Sequence, residues 1–192
     1  DYAELTAERD RMRAQGVLAG IGIAACLEPS GANSTFEPLL NPKNETTTYS
    51  EACRINVDVS GAVTATIHTL SAGQGHETLV GTVIGEVLEI DPDRIRVVRP
   101  DSLPSLPSQS PVGSRMAIMM GGAAFHAAQK LKDRIVAIAA HNLGIPPERA
   151  TYGAGGVFDR AAPQSRLRWN ELVTIAHRNF HRLPPGTEPG LA

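Results

Sequence analysis

The residues best suited to chemistry in this chain are Ser71-Ala72-Gly73-Gln74-Gly75-His76-Glu77-Thr78, where two glycines frame an amide and an imidazole and a carboxylate follow. A glycine-framed turn that opens a helix presents unpaired backbone N–H groups at the positive end of the helix dipole, and glycine lets another molecule approach the chain closely. Such a turn is built to receive something electron-rich. Three generic chemistries fail on spacing. A dinucleotide fingerprint needs a third glycine where Thr78 stands, a phosphate-binding P-loop needs Gly-Lys-Ser/Thr, and a zinc protease needs a second histidine one helical turn after His76. The plainer alternative is a tight strand-to-helix turn in which Gln74 caps backbone groups and the glycines only permit the bend.

Other chemistry-bearing residues form no constellation. His177 and His181 share a helical spacing but have no third ligand in view, so they read as a solvated pair. His68, His126 and His141 fall on strand or helix surfaces without partners. Ser114 lacks the strand-to-helix elbow of a hydrolase nucleophile. Cys26 and Cys53 stand in contexts that match no motif, which argues against iron–sulfur ligation and a disulfide scaffold and for a reducing compartment. Asn33-Ser34-Thr35 and Asn44-Glu45-Thr46 match a glycosylation acceptor, a match without meaning in a cytoplasmic chain. A net charge of −2 gives no electrostatic case for nucleic acid or an anionic membrane, no apolar run is long enough for a membrane span, and the charged start is no secretory signal.

The elements that must position the glycine turn are legible on both sides of it. Val63, Ala65 and Ile67 alternate with Thr64, Thr66 and His68 as in a strand with one buried face. Leu79, Val80, Val83, Ile84, Val87 and Leu88 then draw an apolar helical stripe that leaves Thr82, Glu86 and Glu89 outside. Upstream, Asp1 to Gln15 favours a helix stopped by Gly16. Val17 to Leu27 is almost wholly apolar and reads as a strand covered on both faces. Residues 28 to 50 are polar and turn-rich. Arg54 to Leu70 reads as a hairpin with Ile55, Val57 and Val59 facing one way and Ser60-Gly61 as its turn. Asp91-Pro92-Asp93 stops the glycine-turn helix, and Arg94 to Arg99 forms a short strand, in an order compatible with a crossover unit or a mixed sheet.

Downstream, Pro100 to Pro111 holds four prolines and four serines and cannot join a central strand. A long helix is expected from Ser114 to about Asn142, slim at Gly121-Gly122-Ala123-Ala124, with Met116, Met119 and Met120 read as core filler. Gly144 ends it and Pro146-Pro147 prevents its resumption. Thr151 to Val157 reads as one short strand. Leu167, Trp169, Leu172, Val173, Ala176 and Phe180 mark a last amphipathic helix, and the tail from Leu183 is rich in proline and glycine. With 192 residues, 42% of them hydrophobic, the chain can bury a core as one domain or two small lobes. The fold class expected is α+β, a mixed sheet packed by amphipathic helices.

Gly73-Gln74-Gly75-His76-Glu77-Thr78 with its apolar helix, Ile95-Arg96-Val97-Val98, Asp101-Ser102, Gly113-Ser114-Arg115 and Gly121-Gly122-Ala123-Ala124 together resemble the large subunit of the molybdenum hydroxylases. This is the family of xanthine dehydrogenase, aldehyde oxidase and aerobic carbon monoxide dehydrogenase. The resemblance covers nearly the whole chain but only one segment of the longer family subunits. It implies a helical connector over 1–16, a molybdopterin-binding domain segment over 17–182, and a connector over 183–192 towards a missing C-terminal lobe. The cofactor implied is molybdopterin with molybdenum, in the cytosine dinucleotide form, serving an oxidoreductase that hydroxylates a carbon centre with water-derived oxygen. Iron–sulfur and flavin (FAD) subunits or domains are the implied electron-transfer partners.

The same resemblance implies that the protein gives the metal no side-chain ligand. Gln74 is then expected beside the metal's oxo ligand or the pterin, with Gly73, Gly75 and His76 donating backbone N–H groups nearby. Ser114 and Arg115 match a motif near the phosphate-bearing part of the cofactor, for which a guanidinium fork is suited. No catalytic residue is expected within this segment, because the family's Gly-x-Gly-Glu motif does not occur here. The isolated chain is therefore expected to be inactive and to self-associate through surfaces meant for the missing lobes. Two features favour a different reading, an interaction or scaffold domain that kept the fold and lost the cofactor. They are the Leu103-Pro104-Ser105-Leu106-Pro107-Ser108 run, where the family is glycine-rich, and Met116 directly after Arg115. A third reading is a small-anion or nucleotide-binding module using the same helix start.

Overall fold

The computed structural model describes residues 1–26, 42–43, 51–69, 71–99, 106, 108, 111 and 113–192. Helix α1 spans Tyr2–Ala14, capped by the Asp1 carboxylate, which accepts from Ala3 N–H at 3.0 Å, and it ends where Gly16 turns left-handed at φ 81. It buries none of its residues. The expectations for 28–50 and Pro100 to Pro111 lie outside the described residues, apart from positions 42, 43, 106, 108 and 111.

The first sheet is built from β1 (Arg54–Val57), β2 (Val63–Thr66) and β3 (Ile95–Val98), in that order. β1 and β2 are antiparallel, with Val57 opposite Val63. Their turn is organised by Asp58, whose Oδ1 accepts from Ser60 N–H at 2.8 Å, Ser60 Oγ at 2.6 Å and Ala62 N–H at 3.2 Å. These donors hold the Asp58 carboxyl below its ordinary value, the Ser60 hydroxyl contributing most. Gly61 is required twice over. Its φ is 86, and a Cβ there would come within 2.8 Å of Trp169 Nε1. From β2 the chain passes through α2 (His76–Leu88) into β3, which lies parallel to β2 with Val63 opposite Ile95. The sheet is thus mixed and contains a crossover unit, so the two arrangements left open by the sequence coexist.

The alternating residues Ile55, Val57, Val63, Ala65 and Ile67 are all buried, as are Val80, Ile84 and Leu88 of α2. They join one core with the inner face of α3 (Met116–Leu143), including Met120, Leu131, Ile135 and Ile138. Gly144 at φ 64 ends α3. A second sheet follows, an antiparallel meander of β4 (Ala150–Gly153), β5 (Gly156–Asp159) and β6 (Ala162–Arg168), which leads into α4 (Trp169–Arg178). Residues 183–192 dock on the body: Leu191 is buried, its carbonyl accepts from Val57 N–H at 2.9 Å, and Gly190 N–H reaches Ala176 O at 2.8 Å.

Three sequence expectations are corrected. Residues 17–26 form no strand covered on both faces. They carry no regular structure and leave Val17, Leu18 and Ile23 exposed, because no strand among the described residues pairs with them. Val59 does not continue the buried face of β1, since the Asp58 turn lifts it into solvent. The single strand over 151–157 is a hairpin folded at Ala154-Gly155, both at positive φ, whose second strand pairs with β6; α4 opens at Trp169, inside the start expected between Arg168 and Asn170, and leaves the apolar Leu167 in β6. No helix among the described residues is long and apolar enough to cross a membrane.

Candidate functional site

The carboxyl ends of β2 and β3 lie side by side, Thr66 opposite Val98, with Ile67 N–H donating to Val98 O at 3.0 Å. To return the chain to the start of β3, α2 must run back against the strands, so its N-terminus opens at their carboxyl end. There Glu77 pairs with Arg99 at 2.9 Å. Helix α3 runs parallel to α2. Near the α2 start a Cβ on Gly121 would lie 3.9 Å from Leu79 Cδ1, and near its end Lys132 Nζ donates to Val87 O at 3.3 Å. Two helix N-termini and two strand carboxyl ends therefore gather at one end of the fold. Parallel crossover units take ligands at that end, and helix dipoles favour negative charge there.

Within this end the glycine turn is shaped by its own side chains. Gln74 Oε1 accepts from Ala72 N–H at 2.6 Å and Ser71 Oγ from Gly75 N–H at 3.2 Å. Gln74 therefore does cap the turn, and its exposed Nε2 donors stay available. Gly73 and Gly75 sit at φ 105 and 73, and a Cβ at either would meet nothing within 4 Å among the described residues. No side chain caps α2, so the N–H groups of its first turn keep no acceptor of the helix's own. Adjoining them in sequence, three buried polar atoms have no partner among the described residues: His76 Nδ1, Thr69 Oγ1 and His68 Nδ1. Leaving such an atom unpaired costs about 1–3 kcal/mol. Open glycines, free N–H donors and orphaned polar atoms fit a bound organic group rich in acceptors.

At the start of α3, Gly113 and Ser114 are both left-handed, at φ 62 and 46, and Arg115 precedes the first helical turn. Arg115 is buried, and its Nη1 donates to Glu51 Oε1. Glu51 Oε2 accepts from Ser108 Oγ at 2.6 Å. Thus the structure brings the six site residues expected from sequence, Gly73, Gln74, Gly75, His76, Ser114 and Arg115, to two helix starts at one end of the fold. It adds Glu51 and Thr69, which sequence reasoning missed. No motif contains them, and only tertiary packing buries them.

His177 and His181 lie at the far end of α4 and beyond it. No group of three histidine, cysteine or acidic side chains among the described residues could hold a metal ion. Burial pushes the Cys53 thiol up to about 11. A cavity of about 760 Å³ lies at the opposite end between Gly61, Leu88, Tyr152 and Trp169. Two of its polar groups are matched internally: Tyr152 OH donates to Leu88 O at 2.8 Å and Trp169 Nε1 to Gly61 O at 3.0 Å. Burial and the Glu89 charge push the Tyr152 phenol up to about 12. Of the buried polar atoms without a hydrogen bond among the described residues, His68 Nδ1, Thr69 Oγ1 and His76 Nδ1 cluster in sequence around the glycine turn, which makes that turn the candidate site.

Known proteins resemble this chain in sequence and in fold. The chain is 28% identical over 191 residues to the nicotine 6-hydroxylase large subunit of Paenarthrobacter nicotinovorans, covering 100% of this chain and 23% of that one. It is 28% identical over 195 residues to the carbon monoxide dehydrogenase large chain of Hydrogenophaga pseudoflava, again covering 100% and 23%. Among solved structures, quinoline 2-oxidoreductase from Pseudomonas putida 86 superposes with a TM-score of 0.79 at 25% identity, over 98% of this chain and 24% of that one. Reconstituted CO dehydrogenase from Oligotropha carboxidovorans gives 0.76 at 27% identity, over 99% and 24%. The chain thus spans about a quarter of the length of the proteins it matches. The sequence profile of the molybdopterin cofactor-binding domain matches residues 1–191, and the chain belongs to that family.

Proposed function

We propose that this chain acts as one cofactor-binding segment of a molybdenum hydroxylase large subunit of the xanthine dehydrogenase type, in the cytoplasm, with catalytic residues supplied by other parts of the subunit. The observation that carries the proposal is the set of unpartnered donors and buried polar atoms around Gly73-Gln74-Gly75-His76, at the end of the fold where two helices start. When bound, the molybdenum–pterin group supplies oxidation of a carbon centre with oxygen taken from water. In this chain, Gly73 and His76 contribute backbone N–H groups, Gly75, whose own N–H is held by Ser71 Oγ, leaves room for close approach, and Gln74 offers its amide donors from a side chain held by Ala72. Ser114 and Arg115 serve the phosphate-bearing part, which we assign as the cytosine dinucleotide form. Iron–sulfur and flavin subunits or domains receive the electrons. In terms of organisation, 1–16 is a connector, 17–182 the binding segment, and 183–192 the path towards a further lobe.

Kinetics of Gln74→Ala in the large subunit test this reading. At matched molybdenum occupancy turnover falls about tenfold or more, the size of one charge-assisted hydrogen bond, while the protein still unfolds cooperatively, with at most the loss of the one bond from Ala72. Unchanged turnover removes Gln74 from the site.

A further inference from the structure

We propose that Glu51 is a positioning residue of the cofactor site, acting through Arg115 on the Gly113-Ser114-Arg115 turn; this rests on the reading of that turn as facing the cofactor. The Glu51 side chain is 0% exposed and that of Arg115 1%. A guanidinium that deep stands only with its charge compensated by a hydrogen-bonded partner. Glu51 meets that need with Oε1 on Arg115 Nη1, and its Oε2 accepts from Ser108 at 2.6 Å. One carboxylate, just before β1, therefore joins Ser108 to Arg115 at the start of α3.

What this link holds in place is visible in the backbone. Ser114 is left-handed at φ 46, and Arg115 returns to the right-handed region at φ −85, ψ −18. Serine does not choose the left-handed region by itself, and residues kept there persist only where their surroundings fix them. Anchoring the next residue by its side chain is such a restraint. The change of hand turns consecutive N–H groups the same way. Already neutralised by Glu51, Arg115 adds little uncompensated charge, so its part is to hold this turn in shape rather than to attract an anion from a distance.

A double-mutant cycle in the large subunit carrying this sequence tests the inference. The readouts are fluorescence of the oxidised pterin after gel filtration and thermal unfolding of the cofactor-free protein. Glu51→Gln lowers pterin retention about tenfold, in keeping with loss of one charge-assisted contact. Glu51→Asp restores part of it, and Glu51→Gln adds nothing in an Arg115→Met background. An equal loss in both backgrounds overturns the inference, as does a lower unfolding temperature with pterin retention unchanged. Should Glu51→Gln fail to fold, Glu51→Gln/Arg115→Met removes both charges, and retention below that of Arg115→Met alone overturns it. Pterin missing from the unsubstituted subunit sinks the cofactor reading and this inference together, whereas full retention in Glu51→Gln sinks this inference alone.

Discussion

Gly75 is the residue where backbone conformation and ligand approach meet. It is the N-cap of α2 at φ 73, and no atom of the described residues lies within 4 Å of where a Cβ would stand. Gly75→Ala therefore clashes with none of the described residues. Its cost to the cofactor-free fold is backbone strain alone, about 1–2 kcal/mol by thermal or denaturant unfolding. Cofactor retention falls further than that, because the added methyl occupies space open to a partner. A second residue-scale test uses the thiols. Burial holds Cys53 near 11 while Cys26 is exposed, so iodoacetamide at about pH 8 labels one cysteine in the folded chain and both in denaturant. Rapid labelling of both in the folded state contradicts the burial of Cys53. At this scale Gly73, Gln74, Gly75 and His76 were legible because a strand period, two glycines and a helix period follow one another in sequence. Glu51 and Thr69 were not, since each gains its meaning from residues distant in the chain.

Among the elements, the second sheet depends on one glycine and one ion pair. A Cβ on Gly156 would come 2.1 Å from Leu167 O, a backbone atom of the paired strand that cannot swing aside. Gly156→Ala is expected to cost about 3 kcal/mol or more, read from denaturant midpoints, by forcing β5 and β6 apart. A cost below about 1 kcal/mol contradicts this pairing. Asp159 ties the same sheet to the turn after α3. Arg149 donates to its carboxylate, with Nε at 3.0 Å from Oδ1, and Ala161 N–H adds a bond of 2.9 Å. The Arg149 hydrogen bond is the largest cause holding the Asp159 carboxyl below 3.8, its ordinary value. Its folded value is the lower one, so the stabilisation is fully present above the ordinary carboxylate value and is lost as pH falls from there through the lower folded value. Melting temperatures between about pH 6 and about pH 2 drop less steeply in Asp159→Asn than in the parent. Equal slopes contradict the assignment.

The first sheet and the helices were readable as elements because periods of two and of three to four residues survive in Val63 to Ile67, Val80 to Leu88 and Met116 to Ile138. The meander was not. Its strands β4 and β5 have four residues each, and β6 reads Ala-Pro-Gln-Ser-Arg-Leu-Arg, with no apolar face for a pattern to show. Residues 17–26 failed in the opposite sense. They have the apolar content of a buried strand, but pairing is a property of two segments, and no described strand meets them.

For the molecule as a whole, burial and site completeness part company. The two sheets and helices α2, α3 and α4 share one core, so the 192-residue chain is expected to fold by itself. Leu18, Ile23, Ile118 and Phe125 remain exposed, a set of apolar side chains suited to cover by further polypeptide. Light scattering on the purified chain is expected to show self-association that Leu18→Lys/Ile23→Lys reduces, and a strictly monomeric parent contradicts this. Metal analysis and an electron-acceptor assay on the same chain are expected to find neither molybdenum nor hydroxylase activity. The most direct test of the cofactor role is the molybdenum and pterin content of the purified large subunit, compared with Gly73→Val/Gly75→Val. The account predicts stoichiometric molybdenum and pterin in the parent and loss of both in a variant that still unfolds cooperatively; a folded variant with the full complement, or a folded parent with none, contradicts it.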